Sequence, residues 1–183
     1  MILTKKEILK EINSKRLKIT PFNNSHIGPA SIDLTLSNDF WFFIKNHSIT
    51  LSENTNAESL AVHKKLKSIT LKPGDFILGK TIERIKLPED LFGMLSGRSR
   101  FARLGLAIDI TAFFIHPGVD NHQVFEIKNL SNNDIILKPG LRIAQLAFIR
   151  TEGKSKYVGK FKNKKRVADI HQSISKLLIN TNL

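Results

Sequence analysis

The chain has 183 residues, 41% hydrophobic content, a formal net charge of +13 and a pI near 10.1. That length supports one domain with a sizeable core, and the composition is that of a soluble globular protein with an anionic partner or an unusually basic surface. Cysteine is absent, which excludes disulfides, thiolate metal sites and cysteine nucleophiles, and no apolar run reaches the length of a bilayer-crossing helix.

Met1-Ile2-Leu3 runs directly into charged, helix-forming sequence, so no secretory leader is read and a cytoplasmic protein is expected. Thr4-Lys5-Lys6-Glu7 has capping-box spacing, and Ile8, Leu9 and Ile12 share one face, which predicts a helix over 4–14. From Ser31 to Arg150 the pattern changes to short β-rich runs. Strands are predicted at Ser31–Leu36, Phe40–Ile44, Asp75–Thr81, Phe92–Leu95, Ile108–Phe114, Gln123–Lys128 and Arg142–Phe148. Residues 45–67 are polar and aperiodic and read as a surface excursion. Pro73-Gly74, Pro117-Gly118 and Pro139-Gly140 suit type II turns. Leu-Lys-Pro-Gly occurs at both 71–74 and 137–140, each time before a strand, a hint of pseudo-repeated β-units.

Residues 1–150 thus read as one domain, followed by a basic tail and a C-terminal helix over 151–183. Lys154, Lys156, Lys160, Lys162, Lys164, Lys165 and Arg166 face Glu152 alone. Nucleic acid is one partner for such a run, though only Tyr157 and Phe161 interleave it as stacking groups. A polyphosphate ligand would use the same charge, and a solvated tail would use none of it. Val167, Ile170, Ile174, Leu177 and Leu178 fall on one helical face, a packing stripe within the chain or against another subunit.

Two places carry candidate chemistry. Gly97-Arg98-Ser99-Arg100-Phe101-Ala102-Arg103-Leu104-Gly105-Leu106 gathers three arginines and a serine between glycines. Arg98, Ser99 and Arg100 offer charge and donors to an anion at a helix start, and Gly105 suits the left-handed residue that ends a short helix. A solvated basic loop is the alternative. In Gln123-Val124-Phe125-Glu126-Ile127-Lys128, alternation puts Val124 and Glu126 on one face. If that face points inward, Glu126 is a buried carboxylate that needs a partner such as Arg103, and a positioned carboxylate acts as a general base; if not, it is an ordinary exposed strand residue. The six histidines show no standard zinc spacing, and there is no Walker loop, G-x-G-x-x-G or G-x-S-x-G elbow.

Longer motifs follow one another along the chain: Met1-Ile2-Leu3-Thr4, Arg16-Leu17-Lys18-Ile19, Pro29-Ala30-Ser31-Ile32-Asp33-Leu34 and Ile85-Lys86-Leu87-Pro88-Glu89-Asp90-Leu91. Gly97-Arg98-Ser99 with Ala102-Arg103-Leu104-Gly105-Leu106, and Pro139-Gly140-Leu141-Arg142-Ile143-Ala144-Gln145-Leu146, complete the series. In these motifs the chain resembles the dCTP deaminases of the trimeric dUTPase superfamily, from Met1 to about Arg150. The resemblance implies a mainly β, dUTPase-like distorted β-barrel or jelly-roll (β-clip) with an N-terminal helix, a short active-site helix and a C-terminal helix. It also implies metal-independent hydrolytic deamination of dCTP to dUTP and ammonia, feeding dUMP and dTTP supply. Glu126 would shuttle the proton, Ser99 and the Ala112 carbonyl would position water, and Arg103 would sit beside Glu126. Substrate contacts are implied for Arg98, Ser99, Arg100, Thr111, His116, Val124, Gln145, Tyr157 and Lys164, with Mg2+ on the triphosphate and none at the reacting centre. Sites between subunits imply a homotrimer, with the tail as a lid or subunit contact.

Several positions depart from the family pattern. Arg100 stands where a second serine is usual, His116 where an aspartate meets the sugar, and Val119 where an aromatic lies near it. Asp109 and Phe113 stand where histidines are often found. Two other readings therefore accompany dCTP deamination: a non-catalytic nucleotide- or nucleic-acid-binding relative, and a dUTP diphosphatase.

Overall fold

The computed structural model describes residues 1–44, 48–55 and 60–159. The C-terminal stripe, Lys160, Phe161 and Lys164 lie outside them. Helix α1, Lys5–Asn13, buries Ile8 and Glu11. Thr4 precedes it in extended geometry, but its hydroxyl makes no capping bond. The expected capping box is replaced by tertiary contact, for the Lys5 N–H donates to the Pro29 carbonyl at 2.7 Å.

The main sheet contains β1 (Lys18–Thr20), β2 (Ile32–Phe43), β3 (Ala61–Lys65), β5 (Phe76–Lys86), β6 (Leu91–Gly97), β7 (Leu106–Ile108), β8 (Phe114–Ile115), β9 (Asp120–Asn129) and β11 (Arg142–Arg150). Their order is β7-β9-β5-β2-β11-β6-β8, with β1 added to β5 and β3 to β2, every pair antiparallel. Fully buried Leu34, Leu36, Phe40, Ile85, Phe125, Ile127, Leu146 and Phe148 make the centre of the core. Register shifts at Leu36/Phe40 and at Lys80/Arg84 bend the long strands. The β5 residues within the second shift serve neighbouring strands: Thr81 Oγ1 accepts from the Gln123 N–H, and the buried Glu83 carboxylate from the Thr35 N–H.

Three strand expectations change. Ser31–Leu36 and Phe40–Ile44 merge into β2, because the intervening Ser37, Asn38 and Asp39 stay in extended backbone. The supposed excursion contains β3, which pairs with β2 from Asp39↔Lys65 to Phe43↔Ala61. Ile108–Phe114 breaks after Ile108, where Asp109 turns left-handed at φ 51°. The two Leu-Lys-Pro-Gly copies do mark related units. β4 (Ile69–Leu71) and β10 (Ile135–Leu137) immediately precede their Pro-Gly turns and pair with each other in a separate two-stranded sheet. Gly74 and Gly140 have φ of 82° and 89°, as type II turns require.

The N- and C-terminal edges of this domain are joined by charge. Arg16 donates to Glu11 at 2.8 Å and to both Asp90 oxygens at 2.7 and 2.6 Å, while Arg150 donates to Glu11 at 2.7 Å. Burial pushes the Glu11 carboxyl up, but the bonds from Arg150 and Arg16 outweigh it and hold the group below its usual range. This network locks α1 to the far end of β11.

Candidate active site

The residues singled out in the sequence fall in three places on one chain. The first is a cavity of about 400 Å³ beside the arginine-rich turn. Strand β6 ends at Gly97, and the single helical turn α2, Ser99–Ala102, follows at once. Gly105 ends it with φ 86° and a bond from its N–H to the Ala102 carbonyl, 2.9 Å. Ser99, Arg98 and Arg100 line one wall, Gln145 from β11 another, and the loop Ser25–Pro29 a third. Gln145 pairs with Asp33 on one side and Ser96 on the other, so adjacent strands bring Asp33 and Gln145 together. Asp33 accepts from Arg98 at 3.2 Å and Arg142 at 3.3 Å, and Arg98 also donates to the Arg142 carbonyl at 3.0 Å. Arg98 is thereby oriented, while Arg100 is exposed and unpaired among the described residues. Three guanidinium groups against one carboxylate give this cavity a positive surplus and donors of the kind that suit an anion.

Glu126 forms the second place. It shares a face of β9 with Val124, opposite buried Phe125 and Ile127, and is half-buried. Its carboxylate is held by Thr111: the backbone N–H lies 3.1 Å from Oε2, and the hydroxyl 2.9 Å from Oε2 and 3.2 Å from Oε1. Ala112 follows in the same exposed turn. Arg103, the expected partner, caps α2 from an exposed position and makes no ion pair with Glu126 within this chain. The third place is a cavity of about 260 Å³ lined by His116, Tyr157, Phe114, Val119, Asn121 and Gln123. The His116 and Tyr157 rings stack with centroids 5.4 Å apart and planes 5° from parallel. The tail reaches this cavity because the Tyr157 N–H donates to the Pro117 carbonyl at 2.9 Å and Lys156 pairs with Glu89 at 3.3 Å.

A family model described as dCTP deaminase-like matches residues 2–151. The chain belongs to the dCTP deaminase-like family. A protein of Mycolicibacterium vanbaalenii named "dCTP deaminase, dUMP-forming" is 39% identical over 153 residues, 82% of this chain and 80% of that protein. Its namesake in Mycobacterium avium is 38% identical over the same shares. A crystal structure of 2'-deoxycytidine 5'-triphosphate deaminase from Agrobacterium tumefaciens matches with TM-score 0.64 and 20% identity, over 80% of this chain. This chain spans 47% of that longer one, and the likeness is one of fold. The protein is an enzyme of the dCTP deaminase class with the mainly β, dUTPase-like fold that its motifs imply.

In this family member, sequence reading singled out Arg98, Ser99 and Gln145 but gave no role to Asp33 or Arg142, which orient the arginine. Both sit in the quoted motifs, so the signal was present; their mutual contact needs the β2–β11 register, which no local pattern specifies. Thr111 was expected to touch substrate, and here its hydroxyl serves Glu126. Among the described residues no group of three or more His, Asp or Glu gathers as a metal site, and no helix is long and apolar enough to cross a membrane.

Proposed function

We propose that this protein deaminates dCTP, taken as its magnesium complex. Water adds to carbon 4 of the cytosine ring, and the adduct collapses with loss of ammonia to leave a uracil nucleotide. Glu126 takes the proton from water and passes it toward the ring nitrogen and the departing amine. The observation that carries this reading is the fixing of both Glu126 oxygens by Thr111, the residue before Ala112, which makes a carboxylate of defined direction. Orientation of this kind lowers the barrier without a large change in affinity.

Arg98, Arg100 and Gln145 receive the phosphates, Ser99 orients the water, and His116 with Tyr157 meets the sugar. These groups occupy separate places on one chain, which supports a site completed between copies in a homotrimer. Arg103, exposed here, then stands beside the Glu126 of a neighbouring copy. The motifs imply dUTP as product. A second reading, favoured by the names of the Mycolicibacterium and Mycobacterium relatives, adds hydrolytic release of diphosphate by a second water to leave dUMP.

Incubation with magnesium and dCTP, CTP or dUTP, with ammonia and diphosphate measured separately, tests both. Ammonia from dCTP is expected, reduced at least ~10²–10⁴-fold by Glu126→Gln. Diphosphate released in step with ammonia selects dUMP, and ammonia alone selects dUTP. No ammonia from any nucleotide, with salt-sensitive nucleic-acid binding instead, would overturn the reading.

A further inference from the structure

The setting of Asp109 is unlike that of a surface aspartate. The residue follows β7 with a left-handed backbone, φ 51°, and is 8% exposed. Its N–H donates to the Glu126 carbonyl at 2.9 Å, and its Oδ1 accepts from the Glu126 N–H at 3.3 Å. One residue therefore clamps the Glu126 main chain from both sides, while Thr111, two positions on, grips the Glu126 carboxylate. Alone among buried side-chain oxygens and nitrogens of the described residues, Asp109 Oδ2 has no hydrogen-bond partner.

A buried carboxylate with a bare oxygen is strongly disfavoured, whereas a neutral carboxylic acid is tolerated. Burial chiefly, and then the charge of Glu126, push the Asp109 carboxyl up to about 7, against the opposing pull of the Glu126 N–H. Other charged or titratable side chains on the elements around it are Asp120, His122 and Lys128 on β9, Arg100 on α2 and Arg103 after it; Arg98 is paired with Asp33, and β6 carries none. Of all these, Glu126 is the one whose charge acts on Asp109.

We propose that Asp109 is a positioning residue for Glu126: a buried carboxylic acid that holds the base in place while neutral and releases it on ionising. The proposal rests on the deamination reading. Ionised Asp109 sets a second negative charge beside Glu126 in a site that offers its bare oxygen no donor. The turn carrying Thr111 and Ala112 then gives way, and the base loses its direction. Asparagine keeps the acceptor toward the Glu126 N–H and never ionises; alanine loses the acceptor.

The test is kcat for ammonia release from dCTP between about pH 5.5 and about pH 9 for the full chain and for Asp109→Asn and Asp109→Ala. Wild-type kcat should fall as pH rises through about 7. Asp109→Asn should stay within about threefold of wild type at low pH and lack that fall, and Asp109→Ala should lose on the order of tenfold at every pH. An unchanged pH profile in Asp109→Asn, or wild-type kcat in Asp109→Ala, overturns the proposal. Thermal unfolding of the same proteins separates the two readings. Because folding raises the Asp109 pKa, its contribution to stability is complete below the unfolded value of 3.8 and is lost as pH rises through about 7. Wild type should therefore lose stability relative to Asp109→Asn across that window. Absence of ammonia from wild type with this melting difference present defeats deamination alone; identical pH dependence of melting defeats Asp109.

Discussion

Thr111→Val removes one donor from Glu126 and nearly nothing else. The hydroxyl lies 2.9 Å from Oε2 and 3.2 Å from Oε1, while the backbone N–H, 3.1 Å from Oε2, survives the substitution. Valine keeps the β-branched shape. A hydrogen bond to a charged acceptor contributes ~1.5–3 kcal/mol, and because Thr111 is exposed the lower end applies. About 1.5 kcal/mol lost from the alignment of the base corresponds to roughly a tenfold fall in kcat. Melting temperature should fall by no more than roughly 6 °C, because no fully buried group loses a partner. Thr111→Ser, which restores the hydroxyl, should recover most of the rate. Steady-state ammonia release with dCTP over a range of concentrations gives kcat and KM separately. A rise in KM at unchanged kcat would refute the reasoning and assign the hydroxyl to substrate instead. Equal impairment of the serine and valine variants would refute it as well, by showing that shape rather than the donor matters.

Glu11→Gln should lower stability by about 2–3 kcal/mol and the melting temperature by roughly 5–10 °C, because it strips Arg16 and Arg150 of a shared, mostly buried partner. Folding lowers the Glu11 pKa, so its contribution is present above the unfolded value of 4.5 and is lost as pH falls through the folded one. The gap between the two melting curves should accordingly close on acidification, and a gap independent of pH would contradict the network. Gly105→Ala should destabilise by about 2–3 kcal/mol in denaturant titration, because a Cβ there would lie 2.6 Å from Ser131 Cβ and 2.7 Å from its backbone nitrogen at φ 86°. Gly140→Ala, at φ 89° with nothing within 4 Å, should lose only about 1 kcal/mol; equal losses would show that backbone conformation, not the Ser131 contact, governs Gly105.

What was legible in the sequence followed from how local each signal is. The helix at 5–13, the strands β5, β9 and β11 and the Pro-Gly turns depend on periodicity or on a glycine with positive φ, and both are written in neighbouring residues. Strand β3 was missed because Ala61-Val62-His63-Lys64-Lys65 has no apolar alternation of its own; it is a strand because β2 offers an edge. The break after Ile108 was missed for the opposite reason. Ile108 to Phe114 looks like a β run, but the reciprocal bonds between Asp109 and Glu126 impose a turn from seventeen residues away in sequence. Alternation correctly put Val124 and Glu126 on one face but specified no partner; Arg103 was one candidate, and within this chain Thr111 takes the place.

That substitution of partner bears on how the site divides its charge. In the cavity beside α2, Arg98 and Arg142 share Asp33, and Arg100 remains unpaired, so the wall is strongly positive yet partly fixed. Asp33 does not cancel the site; it stops two long side chains from wandering and directs them to one place, which lessens the ordering needed when an anion arrives. Arg100 enlarges the surplus from an exposed position, where salt screens it most. Among the described residues, Glu126 is ion-paired with no such cation and is organised instead by neutral donors and by Asp109. Within the described residues the positive cavity and the Glu126 carboxylate are thus built from different residues, the first from arginines steadied by Asp33 and the second from Thr111 and Asp109.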